Sequence, residues 1–160
     1  MKVSKEQLDR YIVELGKFTL AWSTVEFALS GWVNAIYLHH PFTGMDSSQP
    51  TAMRRKLEFL KLAHNKNASF RGHKKQAATW ISEINGIKDD RHWVMKGIVS
   101  LALSDADRLM LKRLDLGPQT GKIIQKPITL GRLTAMRTKA FSLGGAIMRH
   151  AATLVPSDMP

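Results

Sequence analysis

Residues 8–36 read LDRYIVELGKFTLAWSTVEFALSGWVNAI, and this stretch decides the fold. Its apolar residues recur at alternating spacings of three and four, which places them on one face of a long α-helix, as in a coiled-coil seam. The members of this seam are Leu8, Tyr11, Leu15, Phe18, Trp22, Val25, Leu29, Trp32 and Ile36. We predict a first helix over about residues 5–38, begun by a capping box of Ser4 and Gln7 and ended by Pro41.

The rest of the chain keeps the helical period except in one region. Residues 51–65 and 73–100 predict the second and third helices, and about 130–154 the last, with Thr129 as its N-cap. From about residue 106 to residue 128, apolar and polar residues alternate on either side of the turn sequence LGPQTG, and this pattern indicates a β-hairpin. The predicted fold class is all-α: one domain over residues 1–160, a four-helix up-and-down bundle with a β-hairpin inserted between the third and fourth helices.

The charge of the chain is strongly positive and uneven. The net charge is +11; residues 1–50 hold 4 basic and 5 acidic residues, whereas residues 51–160 hold 20 and 8. A basic excess confined to the later elements suits a polyanion such as RNA or DNA, although a basic protein can also owe its charge to solubility. The absence of cysteine excludes disulfides and cysteine-ligated zinc and fits the reducing cytoplasm, where we expect the protein.

One stretch resembles a membrane span in composition. Residues 18–38 contain a single charge, Glu26, but Ser23, Thr24, Ser30 and Asn34 interrupt them, and the apolar seam continues into charged residues upstream. No continuous apolar region precedes it in residues 1–17, so we expect no signal peptide. We therefore predict a buried helix and no membrane partner.

The third helix carries an arginine where its seam calls for an apolar residue. The seam runs through Ala77, Ile84 and Ile87 to Arg91, and then to Val94. A guanidinium stays charged and is costly to bury alone, so Arg91 should face a carboxylate or an anionic ligand. Glu26 is the candidate structural ion-pair partner. Alternatively, Arg91 extends to the edge of the bundle with only its stem buried.

Trp22, Glu26 and the segment RHWVMKG at residues 91–97, together with the order of elements, resemble the HEPN superfamily of helical bundles. Its small bacterial members carry a Trp and a Glu on the first helix, an RNxxxHG-like segment on the third, and a strand pair before the last. The resemblance covers most of the chain. It implies a homodimer whose cleft holds a metal-independent endoribonuclease site, with no cofactor. Here Arg91 matches the arginine of the motif, His92 the polar position, and Lys96 replaces the histidine.

The replacement of histidine by Lys96 bears on catalysis. Cleavage through the 2′-hydroxyl needs a group that exchanges protons near neutral pH, as imidazole does, whereas a lysine is a fixed charge that binds phosphate. His92 lies one helical turn before Lys96 and offers a substitute base. Arg91 and His92 are the candidate catalytic residues, and Lys88, Arg91, His92 and Lys96 the candidate nucleic-acid-binding residues. Lys88, His92 and Lys96 are spaced by four residues and so follow one face of the helix. Such a row of basic residues is also typical of a helix face that is exposed to solvent.

These patterns favour one function and leave others open. The first hypothesis is a HEPN-like homodimer that binds RNA, with endoribonuclease activity reduced or absent. The alternative is a protein-interaction subunit of a defence or toxin–antitoxin system; a third is a small-molecule-binding bundle. Trp93 would stack on a base or lie in the core or the dimer interface. His64, His73 and His150 have no partner at metal-ligand spacing, so we expect no metal site.

Overall fold

The structure is a computed structural model, and it describes residues 4–96, 98–105, 108–115 and 121–157. Within these ranges the side chains of residues 96, 98–105, 114 and 115 are not described. The helices are α1 (Lys5–His39), α2 (Met53–Lys66), α3 (Lys74–Lys96) and α4 (Leu130–Thr153), with a 3-10 helix (Ala68–His73) between α2 and α3. The strands are β1 (Ile98–Asp105), β2 (Arg108–Asp115) and β3 (Lys122–Thr129). The predicted fold class is confirmed: four helices, with an antiparallel hairpin before the last.

The hairpin belongs to a three-stranded antiparallel sheet in the order β1-β2-β3. β2 and β3 pair in unbroken register from Arg108 opposite Thr129 to Asp115 opposite Lys122. Leu109 and Leu111 alternate with more exposed neighbours and are fully buried, so the period-two pattern predicted their face correctly.

The strand β1 corrects the prediction of a third helix that reaches residue 100. Helix α3 ends at Lys96, and β1 begins at Ile98 and pairs with β2. Ile98 and Val99 are β-branched and open a short apolar run, for which periodicity alone cannot separate a helix end from a strand. Backbone pairing with β2, which is remote in sequence, settles the choice.

The chain divides into two compact units. The first unit comprises Met1–Ala21 and Gly86–Lys139, and the second comprises Trp22–Asn85 and Ala140–Pro160. The expectation that residues 1–160 form one domain stays a prediction.

The core of the first unit is built from the sheet and from parts of three helices. Its fully or nearly fully buried side chains are Tyr11, Phe18, Ile87, Leu109, Leu111, Ile128, Leu133 and Met136. The Tyr11 hydroxyl accepts a hydrogen bond from the backbone N–H of Leu130 at 3.1 Å, which satisfies an otherwise free donor in the first turn of α4. The buried Glu14 carboxylate accepts a hydrogen bond from Arg137 of α4. These contacts fix the start of α4 against α1 within this unit.

The core of the second unit contains most of the predicted first seam. Its buried side chains include Trp22, Val25, Leu29, Trp32, Ile36, Leu57, Leu60, Ile84, Leu143 and Ile147. At Gly144 a Cβ atom would lie 3.0 Å from the Thr24 side chain and 3.1 Å from the Val25 backbone nitrogen. The helices therefore approach closely at Gly144, whereas among the described atoms a Cβ at Gly145 would meet only the Arg149 guanidinium, at 3.5 Å.

Both predicted helix caps are present. The Ser4 hydroxyl accepts a hydrogen bond from the Gln7 backbone N–H at 3.2 Å, and the Gln7 side chain accepts one from the Ser4 N–H at 3.2 Å. The Thr129 hydroxyl accepts a hydrogen bond from the Arg132 N–H at 3.1 Å. Such caps satisfy donors that the first turn of a helix leaves free. No helix within the described residues has an apolar stretch long enough to cross a membrane.

Candidate nucleic-acid interface

The candidate residues on α3 lie in the first unit. Lys88 is exposed, and Arg91 and His92 are half-buried. Lys88 and His92 are four residues apart and so lie on adjacent turns of one helix face. Arg91 is half-buried, which agrees with both predictions for this residue: a guanidinium that faces inward, and a side chain that reaches the edge of the bundle with only its stem buried. Lys96 is the last residue of α3; its side chain, like Gly97, lies outside the described part of the chain.

Trp93 is half-buried and has a cationic neighbour that sequence reasoning did not assign to the site. The Arg113 guanidinium of β2 lies 4.8 Å from the centre of the Trp93 ring, within the range of a cation–π interaction. The strand face of Arg113 could be predicted, because Arg113 follows Leu109 and Leu111 at the period of a strand, but its contact with Trp93 on another element could not. Arg113 thus covers part of the tryptophan and adds positive charge beside α3.

Asp90 is the centre of an ion cluster that ties α3 to β3 and α4. Its carboxylate accepts hydrogen bonds from Lys126 Nζ at 2.6 Å and from Arg132 Nε and Nη2 at 2.8 and 2.5 Å. Although burial pushes the pKa of Asp90 up, the hydrogen bonds and charges of Lys126 and Arg132 hold this pKa below its ordinary value of 3.8. Asp90 therefore stays ionised, and two cations compensate its single negative charge.

The charge on this part of α3 is nevertheless mixed. Asp89 is exposed beside the exposed Lys88, so the helix offers a carboxylate as well as an ammonium to the solvent. Over its whole length the first unit contains 15 basic and 8 acidic residues, a net charge of +7. Most of the positive excess of this unit is therefore carried by residues 98–139, which hold 8 basic and 3 acidic residues, and α3 adds little to it.

Glu26 lies in the second unit and is half-buried. Its carboxylate accepts a hydrogen bond from the indole N–H of Trp22, one turn earlier on α1, at 2.8 Å. This contact joins residues four apart on one helix, so it follows from the geometry of α1. The expected ion pair between Glu26 and Arg91 stays a prediction.

Three histidines that are remote in sequence meet in the second unit, where the sequence showed no partner for any of them. His150 lies with its ring centre 6.4 Å from that of His64 and 4.9 Å from that of His73. The fully buried Trp32 packs edge-on against His64 at 5.2 Å and His150 at 5.4 Å. We call His64, His73, His150 and Trp32 the histidine–tryptophan cluster. Sequence spacing could not reveal it, because its members come from four different elements.

Two imidazoles of this cluster, those of His64 and His150, are kept neutral. His64 Nδ1 donates a hydrogen bond to the carbonyl oxygen of Leu60 at 2.8 Å, and the Nε2 atoms of His64 and His150 are buried with no hydrogen-bond partner among the described atoms. Burial, reinforced by the charges of His73 and His64, lowers the pKa of His150 from 6.5 to about 4. Burial also lowers the pKa of His64, against the opposing effect of its bond to Leu60.

The three histidines of the cluster are not arranged as metal ligands. Within the described ranges, no group of three or more His, Cys, Asp or Glu side chains is arranged to hold a metal ion. The contacts that the structure shows within the cluster are ring-to-ring contacts.

Comparison with known proteins gives no family for this chain. Neither the protein-family models, nor the curated proteins, nor the solved structures contain a match to it.

Proposed function

We propose that this protein is a HEPN-like homodimer that binds RNA in the cytoplasm, with endoribonuclease activity reduced or absent. The observation that carries the proposal is the charge balance around Asp90. Lys126 and Arg132 both bind this carboxylate, so the acidic residue next to Arg91 does not neutralise the remaining cations of the unit. A surplus of this kind attracts the phosphate backbone of RNA.

The identity of residue 96 supports binding over cleavage. In the family resemblance Lys96 occupies the position of the catalytic histidine, and an ammonium holds a phosphate without exchanging protons near neutral pH. Arg91 would hold the phosphate beside it. His92, half-buried one turn earlier, is the residue able to supply a residual base function.

The homodimer is supported by exposed apolar side chains on α4. Phe141 and Met148 are 67% and 39% exposed and lie seven residues apart, two turns along one face of the helix. A second copy of the chain would cover this face. Light scattering should give twice the 18.0 kDa of the chain, and Phe141→Glu should shift the protein to the monomer. A wild type that is monomeric at micromolar concentration contradicts the dimer.

RNA binding and cleavage are tested together on the purified protein. A labelled single-stranded RNA should bind with an affinity that falls steeply with salt, and should remain intact in the presence of EDTA. Lys96→Glu should weaken binding, and Lys96→His should introduce metal-independent cleavage. EDTA-resistant cleavage by the wild type that is lost in His92→Ala contradicts the binding-only function. Absence of RNA binding at low salt rejects the RNA-binding function altogether.

The availability of Arg91 to RNA is tested against Glu26. If the two side chains form an ion pair, a double-mutant cycle of Glu26→Gln and Arg91→Gln should show coupling in the free energy of unfolding. If Arg91 instead holds RNA, Arg91→Gln should weaken RNA binding while the coupling stays close to zero.

The alternative function is a protein-interaction subunit of a defence or toxin–antitoxin system. The exposed Phe141 and Met148 favour it, since an apolar face also fits a protein partner. The two functions differ in one measurement: the interaction subunit should show no salt-dependent affinity for RNA.

A further inference from the structure

The most basic part of the described chain lies in the second unit. Residues 54–75 contain eight of the 24 lysines and arginines and a single acidic residue, Glu58. We call these residues the basic segment; it runs through α2 and the 3-10 helix to the start of α3. Its basic residues are Arg54, Arg55, Lys56, Lys61, Lys66, Arg71, Lys74 and Lys75. Its charge is far more one-sided than that of residues 88–96, which contain three basic and two acidic residues.

Most of this charge faces solvent and is not neutralised. Arg54 pairs with Glu58 at 3.1 Å and Arg55 with Asp46 at 3.9 Å, and all four side chains are more than half exposed. The other exposed cations of the basic segment make no ion pair with a described carboxylate: Lys61, Lys66, Arg71, Lys74 and Lys75. Five ammonium or guanidinium groups are thus available to a polyanion.

The basic segment is held rigidly on its unit. Leu57, Leu60, His64 and Phe70 are buried beneath it, and the His64 and Phe70 rings stack with centres 4.9 Å apart. Asn67 caps the 3-10 helix by accepting a hydrogen bond from the Ser69 N–H at 2.9 Å. Charges on an ordered frame need little further ordering when a ligand binds, in contrast to those of a disordered basic tail.

An open cavity of about 340 Å³ lies where the basic segment begins. It is lined by Glu26, Phe27, Ser30, Thr51, Met53 and Lys56. Lys56 Nζ donates a hydrogen bond to Ser30 Oγ at 2.7 Å, which holds the ammonium at the cavity wall. The Phe27 side chain is 69% exposed, so its ring is accessible. An aromatic ring beside a fixed cation suits a nucleotide, whose base stacks and whose phosphate pairs with the ammonium.

We propose that the basic segment is a binding surface for single-stranded RNA, with one nucleotide seated in the cavity between Phe27 and Lys56. The proposal rests on the proposed RNA-binding function and names the surface that would provide most of the affinity. The phosphate backbone would follow Lys61, Lys66, Arg71, Lys74 and Lys75. Recognition at these residues is electrostatic and therefore tolerant of RNA sequence.

The test is fluorescence anisotropy with a labelled oligouridylate at several salt concentrations. The quadruple variant Lys61→Gln, Lys66→Gln, Lys74→Gln and Lys75→Gln removes four exposed charges of the basic segment. A matched control removes four exposed charges on α1 and near the end of α4, at Lys5, Arg10, Lys17 and Arg149. The segment variant should bind about 100-fold more weakly, and the slope of log Kd against log salt should fall by about 3. The control should change the affinity by less than about threefold.

A second variant tests the cavity. Phe27→Ala should weaken binding about tenfold, as expected for the loss of one stacked base, with the salt slope unchanged. The control is Ile123→Ala, because Ile123 is 66% exposed and apolar like Phe27, and lies outside the cavity. Equal effects of the two substitutions contradict the nucleotide position.

The outcomes separate this inference from the proposed function. If the quadruple segment variant binds like the wild type while Lys88→Gln with Lys96→Gln abolishes binding, the basic segment is rejected and RNA binding on α3 stands. Equal losses in the segment variant and its charge-matched control show a general effect of net charge and also reject the surface. A wild type that binds no RNA rejects both proposals.

Discussion

The two units place ionisable side chains in partly buried positions by opposite means. In the first unit Asp90 keeps its charge, because Lys126 and Arg132 bind it directly. In the second unit the imidazoles of His64 and His150 give up their charge, because aromatic rings surround them and no carboxylate is paired with them among the described residues. Neighbouring cations favour the ionised form of a carboxylate, whereas aromatic surroundings favour the neutral form of an imidazole. The two units should therefore respond differently to truncation and to acid.

Among the residues compared here, Trp32 should cause the largest loss of stability when it is substituted. It is fully buried and contacts His64, Trp80 and His150 with ring centres 5.2 to 5.5 Å away. Trp32→Ala should lower the free energy of unfolding by about 3–5 kcal/mol, measured by urea titration, because a large cavity replaces the indole. Trp32→Phe, which keeps an aromatic ring, should cost clearly less. A loss below about 1 kcal/mol for Trp32→Ala would show that the cluster is not a centre of packing.

Acid should act on the histidine–tryptophan cluster before it acts on Asp90. The folded pKa of His150 is lowered to about 4, so below pH 6.5 the unfolded chain binds protons that the folded chain does not. Stability is therefore full above pH 6.5 and falls as the pH drops toward 4. Between pH 7 and pH 5 we expect a loss of about 1.5 kcal/mol, after allowance for solvent screening at His150.

The Asp90 cluster should respond only at lower pH. Its lowered pKa stabilises the fold above 3.8, and this contribution is lost as the pH falls below that value. Urea titrations at a series of pH values separate the two windows. His150→Phe should flatten the dependence between pH 7 and pH 5, whereas Asp90→Asn should leave it unchanged. A wild-type stability that stays constant down to pH 4.5 contradicts the neutral state of the histidines.

The glycine pair of α4 tests how tightly the second unit is packed. Gly144→Ala should destabilise the fold by about 1–2 kcal/mol, because the new methyl group meets rigid backbone and this strain exceeds the gain in helix propensity. Gly145→Ala is the matched control and should raise the stability by up to about 1 kcal/mol, since its near neighbour in the described part of the chain is the flexible Arg149 side chain. Equal shifts in the thermal midpoint would show that the contact with Thr24 is loose.

Asp90 should show the smallest effect of the four. Asp90→Asn leaves Lys126 and Arg132 without their carboxylate, but these side chains are 37% and 52% exposed, so water replaces much of the interaction. We expect a loss of about 1 kcal/mol, and a loss close to zero for the exposed neighbour in Asp89→Asn. Identical values for the two variants would show that the ion cluster does not stabilise the first unit.

The sequence by itself determined the features that depend on neighbouring residues. The spacing of Tyr11, Phe18 and Trp22 predicted the face of α1 that is buried, and Ser4 and Thr129 predicted their caps. The alternation of Leu109 and Leu111 predicted the hairpin. Each of these patterns is read within one helical turn or one strand, where the geometry of the backbone is known in advance. For the candidate site, the sequence selected Lys88, Arg91 and His92 on one segment of α3.

The tertiary structure decided what depends on residues that are remote along the chain. Pairing with β2 makes Ile98–Asp105 a strand, although periodicity alone did not separate its first residues from the end of a helix. Asp90 acquires its partners from β3 and α4, Trp93 acquires Arg113 from β2, and His150 meets His64 and His73. No local period encodes these meetings, because they arise when buried faces pack together and their polar edges are brought into contact. The charge states of Asp90 and His150 therefore follow from packing, whereas the helices that carry these residues follow from the sequence.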